Sequence, residues 1–483
     1  MLEHVKTSVN PTDNEQWRDN LRLKKINVGH VNGGLLTEKS ISNLCNVIRH
    51  FGTTLTHLNL SYVPMDGRNE GDVGAALTTL KNLEVLILRG CKISAKGFKE
   101  ILYVFSVVPS LLHTLDVEHN NLTHTAISAL CGIMEGDNCS LTSLNVGMNL
   151  IEIVGLETLV TTLAKRKETN KLKSLDFSGN PGGRNATAKF AELIHSTHNL
   201  TDLNISQCAM PGEACIRITQ ELRSRRDLKK LNLSDNPIGK TLTRQRHAST
   251  GEISRDYPAE FFSFLDGSIT GRLETLVMDR TLLTEDAGQA LASVLHNNTK
   301  LRELIITGNA LVEKTGMLPP AWLEMIPASQ YLTKLHLSHN QMTYTGVMKL
   351  FGAMARNRSI AELVLDGNVL DRYPPNSPHT EIVSFLENNA TVSILSMSAM
   401  QIKDDVLIKM GEALKRNRGL KRLIAHRNEI PVRGVTELAR HLSENTTLEF
   451  LDLSCKSVQA SDDVYLQAYK TLIEASNVET VLL

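Results

Sequence analysis

The sequence predicts an α/β solenoid of about sixteen repeats, with a curved parallel sheet inside and helices outside. One pattern, Leu-x-x-Leu-x-Leu-x-x-(Asn or Cys)-x-Leu, recurs along nearly the whole chain of 483 residues. Most of its steps measure 28 or 29 residues, which is enough for a strand followed by a full helix. Aromatic residues make up only 4% of the chain, as expected for a core of stacked Leu, Ile and Val.

The repeats are in register, and this pattern is that of the long class of leucine-rich repeat. The first residues of the units are Leu23, Leu55, Leu83, Leu112, Leu141, Leu172, Leu200, Leu228, Leu273, Leu301, Leu332, Ile360, Val392, Leu420, Leu448 and Val478. A single unit of this kind cannot bury its apolar faces alone. We therefore expect each repeat to be stabilised by its neighbours.

The elements of one unit can be followed from Leu112. Leu112, Leu115 and Val117 alternate as a half-buried strand does and should point into the core. Asn120 lies where the chain leaves the strand, where its amide can bond the backbone of neighbouring turns. The residues at 123–134 carry apolar side chains at helical spacing and predict the helix.

The domain organisation that we predict is a lead-in over residues 1–20 followed by the repeat domain over 21–483. The step from Leu228 to Leu273 is 45 residues long, so we expect a loop insertion at about 239–270. Two shorter interruptions, at 314–331 and 371–379, contain double prolines and should bulge from the repeat pattern. The last residues read as a bare strand, so we expect either a longer protein or pairing along this edge.

Composition argues against several classes of function. Lys and Arg together number 52, as do Asp and Glu, so neither nucleic acid nor an anionic membrane is an expected partner. No stretch has the length and apolarity needed for membrane insertion. The seven cysteines show no metal-ligand spacing and suggest reduced thiols in the cytoplasm. Cys91 and Cys208 occupy the Asn position of the repeat and should be buried structural thiols.

Two motifs that could indicate a nucleotide or metal site lack residues that such a site needs. Gly239-Lys240-Thr241 resembles the end of a phosphate-binding loop, but Ser234 stands where the first glycine is needed. His195 and His198 lack further ligands at zinc spacing. We therefore predict no metal, no cofactor and no enzymatic activity.

The central outward position of each predicted strand indicates a binding surface. It is mostly polar in the first half of the chain, whereas β-branched residues occur in the second half. The predicted strip, on the concave face, contains Val277, Ile305, His336, Val364 and Ile424. Its mixed-charge border contains Glu303, Lys334, Glu362 and Arg422. Exposed apolar strips usually mark partner sites, but β-branched residues also simply suit strands.

A second candidate site lies in the insertion. The segment Arg244-Gln-Arg-His-Ala-Ser249 resembles a substrate of basophilic kinases, so Ser249 is a predicted phosphorylation site. The alternative interpretation is a solvated basic loop with accidental spacing.

Three segments resemble the repeat region of the CARMIL family of actin regulators. They are residues 257–265 (YPAEFFSFL), 357–368 (NRSIAELVLDGN) and 416–424 (RNRGLKRLI). The likeness extends over roughly residues 20–483 and implies a rigid repeat arch in a cytoskeletal assembly. That family also has a membrane-binding domain, a dimerisation region and a capping-protein-binding tail. None of these has a match here, and no family site residue transfers to a numbered position.

The leading functional prediction is a non-enzymatic cytoplasmic scaffold that binds a protein partner on the concave sheet or through the 239–270 segment. A GTPase-activating protein of the Ran-activator type is one alternative, because those proteins share the repeat fold. Their acidic C-terminal region is missing from this sequence. A pathogen effector or innate sensor is another alternative, although the nucleotide-binding domain typical of sensors is not found in the sequence.

Overall fold

A computed structural model describes residues 23–28, 38–65, 69–107, 111–136, 139–166, 169–247, 249–312, 314–370, 373–374, 377–455, 463–476 and 478–482. The predicted lead-in, residues 1–20, lies outside the described residues. The chain divides into two compact units between Leu175 and Asp176. Within each unit, short strands alternate with helices in chain order, and neighbouring repeat strands pair in parallel. The predicted α/β leucine-rich-repeat solenoid is confirmed.

The first unit follows the predicted register. Its strands are β1 (Lys25–Asn27), β2 (His57–Asn59), β3 (Val85–Ile87), β4 (Thr114–Asp116) and β5 (Ser143–Asn145), and β6 (Ser174–Asp176) lies at the boundary. Its helices are Glu38–His50, Glu70–Leu77, Ala95–Val107, His124–Met134 and Ile153–Lys165.

The second unit contains the longer run of repeats. Its strands are β7 (Asp202–Asn204), β8 (Lys230–Asn232), β9 (Arg244–Arg246), β10 (Ile253–Asp256), β11 (Thr275–Val277), β12 (Glu303–Ile305), β13 (Lys334–His336), β14 (Glu362–Val364), β15 (Ile394–Ser396), β16 (Arg422–Ile424), β17 (Phe450–Asp452) and β18 (Thr480–Leu482). Its helices are Gly183–Ser196, Gly212–Leu222, Tyr257–Phe262, Glu285–Leu295, Pro320–Ala328, Tyr344–Met354, Thr380–Asn388, Asp404–Leu414, Val432–Leu442 and Asp463–Ala475.

The asparagine of each repeat joins it to the neighbouring repeat through buried hydrogen bonds. Asn149, which is 3% exposed, accepts the backbone N–H groups of Asn120 and Leu122 at 3.0 and 2.9 Å. Its amide group donates to the carbonyls of Val117 and Val146. Because these partners lie in its own and the preceding repeat, the asparagine satisfies backbone groups that would otherwise be buried without partners.

The insertion contains regular structure where the sequence predicted a loop. β9 and β10 form an antiparallel hairpin, and the helix Tyr257–Phe262 follows it. β8 pairs directly with β11, so the insertion leaves the parallel register intact. The helix packs between Gly212–Leu222 and Glu285–Leu295, in the place of a regular repeat helix. The extra residues are therefore those of the hairpin.

The interruption at 314–331 was predicted to bulge from the repeat pattern, but it contains the helix of its repeat instead. The helix Pro320–Ala328 begins there with Pro320 in its first turn, where the missing proline N–H costs no hydrogen bond. Trp322, Met325 and Ile326 are buried, so this segment supplies the core of its repeat. The double proline does not interrupt the repeat because Pro319 and Pro320 lie at the start of the helix and not in its interior.

Candidate functional site

Each repeat strand has three residues, of which the middle one points into the core. In β12, Leu304 is fully buried, whereas Glu303 and Ile305 are half-buried on the opposite side. This alternation is the period of two expected for a strand with one covered face. We call the uncovered side the open face. The first residues of the strands form its first row, and the third residues form its second row.

The predicted apolar strip lies in the second row of the second unit. In spatial order this row contains Val277, Ile305, His336, Val364, Ser396 and Ile424. The structure therefore brings all five predicted strip residues onto consecutive or next-nearest strands. His336 separates a first apolar group, Val277 and Ile305, from a second, Val364 and Ile424. The buried Ser396 lies between the two members of the second group, so the row is not a continuous apolar strip.

Three residues of the predicted charged border, Glu303, Lys334 and Glu362, form a network on the open face, whereas Arg422 lies outside it. Lys334 Nζ lies 3.3 Å from Glu362 Oε2 and 4.0 Å from Glu303 Oε1. The other oxygen of Glu362 lies 2.8 Å from His336 Nε2. Through His336 the network crosses from the first row to the second. These charges are already paired within the protein, so they frame the apolar side chains and fix their surroundings.

Two residues that sequence reasoning missed complete the second apolar group. Ile394 lies in the first row beside Arg422, and the Arg422 guanidinium stacks 4.3 Å from the ring centre of Phe450. Ile394 and Phe450 occupy the first outward position of their strands. At this position only charged residues were predicted to border the binding surface. We define the apolar cluster as Val364, Ile394, Ile424 and Phe450, which lie on the open face of the neighbouring strands β14 to β17.

Polar residues of the second row are used by the fold. Asn145 Oδ1 accepts the N–H of Gly147, two residues ahead, at 2.9 Å. Asn232 and Ser234 repeat this contact at 3.0 Å. This short-range bond closes the turn in which the chain leaves the strand. A valine or isoleucine cannot accept it.

In the Val277 and Ile305 repeats a side chain from the preceding repeat supplies the missing acceptor. Thr307, which follows Ile305 by two residues, donates its N–H to Asp279 Oδ1 at 2.7 Å. Asp279 in turn donates its own N–H to the hydroxyl of Ser234 at 3.0 Å. The turns therefore stay satisfied although the second-row side chain takes no part. Val277 and Ile305 are thereby released from a structural role on their outward side.

Other features of the chain have structural explanations. Cys91 and Cys208 are fully buried, as predicted, and burial raises the pKa of both thiols to about 12. Ser249 is exposed in the turn between β9 and β10. Across the described ranges, no group of three or more His, Cys, Asp or Glu residues is arranged to hold a metal ion. No described helix is both long and apolar enough to cross a membrane.

Comparison with known proteins identifies the repeat. A family model described as "Leucine Rich repeat" matches residues 226–241 and 328–351. The ribonuclease inhibitor of Sus scrofa is 25% identical over 380 residues, which cover 78% of this chain and 78% of that protein. The Rho GTPase-activating protein gacW of Dictyostelium discoideum is 22% identical and aligns with 73% of this chain. NACHT, LRR and PYD domains-containing protein 12 of Mus musculus is 26% identical and aligns with 57% of this chain.

Coverage differs among these proteins. The matched region spans only 30% of the Dictyostelium protein and 27% of the NACHT protein. A crystal structure of an internalin (inlF) from Listeria monocytogenes covers 80% of this chain and 88% of its own, with 14% identity and a TM-score of 0.41. The asparagine contacts between repeats and the family model show that the chain is a leucine-rich-repeat protein, and its sequence is similar to the ribonuclease inhibitors.

Proposed function

We propose that this chain is a non-enzymatic protein-binding scaffold whose partner binds the open face of strands β11–β17. The observation that carries the proposal is that four of these seven strands have Val or Ile in the second row, where most other repeats have Asn or Asp. A polar second-row side chain holds its own turn together, whereas Asp279 performs that task for the Ile305 repeat. An apolar residue at this position is therefore free to contact a partner.

The composition of the surface matches that of protein interfaces. An apolar centre bordered by paired charges is the usual arrangement, with aromatic residues and Arg enriched at the centre. Arg422 stacked on Phe450 combines two residue types that are enriched at protein interfaces. Glu303, Lys334 and Glu362 form the polar border. We propose that Val364, Ile394, Ile424 and Phe450 are the contact centre, with Val277 and Ile305 as a second contact.

The cellular setting of this scaffold is also part of the proposal. The resemblance to the CARMIL repeat region points to the cytoplasm and to an actin-regulatory assembly. A pairing contact along the outer edge of β18 is a further proposal, because an open strand edge offers unpaired backbone groups. Neither depends on the apolar cluster, so each can fail separately.

Two alternatives have support from relatives. One relative is named a Rho GTPase-activating protein, which keeps GTPase activation as a candidate function. Others are named for NACHT and PYD domains, which keeps an innate sensor as a candidate. The chain spans less than a third of those proteins, so we rank both below a binding scaffold.

The proposal is tested by partner capture with matched variants. The full chain is immobilised as wild type, as Val364→Asp with Ile424→Asp, and as Val85→Asp with Ile87→Asp. The last pair changes half-buried open-face residues of β3 in the first unit and controls for added charge. Captured proteins are quantified by mass spectrometry after circular dichroism confirms folding.

A partner retained by the wild type and by the β3 control, but lost by the first variant, supports the open-face site. Loss of at least about tenfold is expected, since a buried carboxylate at an interface centre costs more than 1.4 kcal/mol. Equal retention by all three proteins contradicts the site. Actin binding and GTPase stimulation, measured on the same samples, separate the scaffold from the alternatives.

A further inference from the structure

We propose that Ser249 is a phosphorylation site for an arginine-directed serine kinase, presented at the tip of the β9–β10 hairpin. This inference concerns the insertion and does not rest on the open-face proposal. Kinases of this class recognise arginine three residues before the acceptor, with a second arginine often five residues before it. The structure adds what the motif lacks, a reason to choose one acceptor over the others.

The sequence contains seven Ser or Thr residues that follow an arginine by three positions. They are Thr169, Thr187, Ser249, Thr275, Ser359, Thr436 and Ser443. Among them Ser249 alone also has an arginine five positions before it, Arg244. Sequence spacing therefore already ranks Ser249 first.

Hydrogen bonding separates Ser249 from the other six more sharply. Thr187, Ser359, Thr436 and Ser443 donate their hydroxyls to backbone carbonyls at 2.6–3.0 Å. Thr169 contacts Arg166, and Thr275 donates to Glu303. Ser249 is exposed, and no hydroxyl contact is found for it among the described residues. Phosphorylating any of the other six requires breaking a contact, whereas Ser249 is ready to react.

The hairpin holds the two arginines differently. Arg244 is anchored, with Nε 3.0 Å from Asp256 and Nη1 2.7 Å from Asp286. Arg246 is exposed and donates from Nη1 to the carbonyl of Gly251 at 2.9 Å, across the turn that carries Ser249. The arginine that matters most for recognition is therefore accessible. The other arginine fixes the base of the hairpin to the helix Glu285–Leu295.

The reaction needs only MgATP and the kinase. Ser249 Oγ attacks the γ-phosphorus of ATP, the bond to the β-phosphate oxygen breaks, and ADP leaves. The hydroxyl proton passes to the catalytic base of the kinase. Residues 240–256 carry four Lys and Arg against two Asp and Glu, a formal charge of +2. A phosphate of about −1.5 to −2 brings this segment close to neutrality.

The guanidinium of Arg246 is close enough to the turn to bind a phosphate on Ser249. Arg246 already lies over the turn, so a charge-assisted hydrogen bond to the new phosphate is expected to tighten it. The turn is closed by the N–H of His247 to Glu252 at 2.8 Å and the N–H of Gly251 to His247 at 2.9 Å. Phosphorylation should therefore slow hydrogen exchange at these two amides.

The test uses the folded full chain with MgATP and an arginine-directed serine kinase whose activity is verified on a standard substrate peptide. Four proteins are compared: wild type, Ser249→Ala, Arg246→Gln and Arg440→Gln. The last removes the equivalent arginine before Ser443 and is the matched control. Intact mass gives the phosphate stoichiometry, peptide mass spectrometry locates the phosphate, and hydrogen exchange follows the turn.

We expect one dominant phosphate on Ser249, lost in Ser249→Ala. Its initial rate should fall about tenfold in Arg246→Gln, the effect of one lost charge-assisted contact, and stay unchanged in Arg440→Gln. No incorporation into wild type, or incorporation that Ser249→Ala leaves intact, would overturn the proposal. Unchanged exchange at His247 and Gly251 after phosphorylation would overturn the tightening of the turn while leaving the site.

Discussion

The same strand position serves two purposes in different repeats, as Asn145 of the first unit and Ile424 of the second unit show. In the first unit Asn145 closes its own turn and also donates to Glu118 at 3.0 Å. In the second unit Ile424 occupies the equivalent place and makes no polar contact with its turn. The buried asparagines Asn149 and Asn428 keep the same role in both units. The buried asparagines, which we call the asparagine ladder, hold the repeats together in both units. The outward second-row residue differs between repeats, and where it is apolar we propose that it contacts a partner.

The largest expected effect comes from breaking what the two units share. Asn428 accepts from Met400 and Ile402 and donates to Met397 and Ala425. Asn428→Ala leaves these buried backbone groups without partners. We expect the free energy of unfolding to fall by about 3 kcal/mol. Asn149→Ala should cost a similar amount, as measured by urea denaturation followed by circular dichroism.

A loss below about 1 kcal/mol in either variant would show that water replaces the amide and that the ladder is not what joins the repeats. Asn428→Asp is the informative companion variant. It keeps both acceptor contacts but removes the two donated hydrogen bonds and buries a charge. It should be at least as damaging as the alanine variant.

An exchange of residues between the units tests their difference directly. Asn145→Val removes the acceptor for Gly147 and should lower the free energy of unfolding by about 1–2 kcal/mol. Ile424→Asn places a polar residue on the open face and should change it by less than about 0.5 kcal/mol. Urea denaturation of both variants measures the contrast. Equal losses would mean that the apolar residues also serve the fold.

The repeats could be predicted from sequence because their signals are local. Leu at fixed spacing and Asn at the strand exit are required by every unit, so the register and the second row followed directly. The Lys334–Glu362–His336 network and the stacking of Arg422 on Phe450 depend on side-chain conformations across repeats. No spacing rule contains that information.

The hairpin escaped prediction for a different reason. β9 and β10 read Arg-Gln-Arg and Ile-Ser-Arg-Asp, with no apolar alternation to indicate strands. Ion pairs of Arg244 with Asp256 and Asp286 hold the base of the hairpin instead. Such pairs join residues up to 42 positions apart, which only the fold brings together. The spacing of the repeats therefore correctly predicted an insertion but not its structure.

The smallest expected effect concerns a charged member of the second row. Burial is the largest cause that raises the pKa of Asp116, and the nearby Glu118 carboxylate adds to it. The folded protein therefore binds a proton more tightly than the unfolded chain does. Stability falls as the pH rises from 3.8 through the raised pKa, and the penalty remains at neutral pH.

Asp116→Asn should remove this penalty, because asparagine keeps the acceptor for the N–H of Glu118. Asn145 shows that the amide suits this position. We expect a gain under about 1 kcal/mol at pH 7, which shrinks as the pH falls through the raised pKa and is lost below 3.8, the ordinary value for aspartate. Urea denaturation of the wild type and of Asp116→Asn, at pH 7 and below pH 3.8, measures this gain in the free energy of unfolding. A loss at pH 7 would mean that the carboxylate is retained for its attraction to Arg89, so that this charge in the first unit serves the fold.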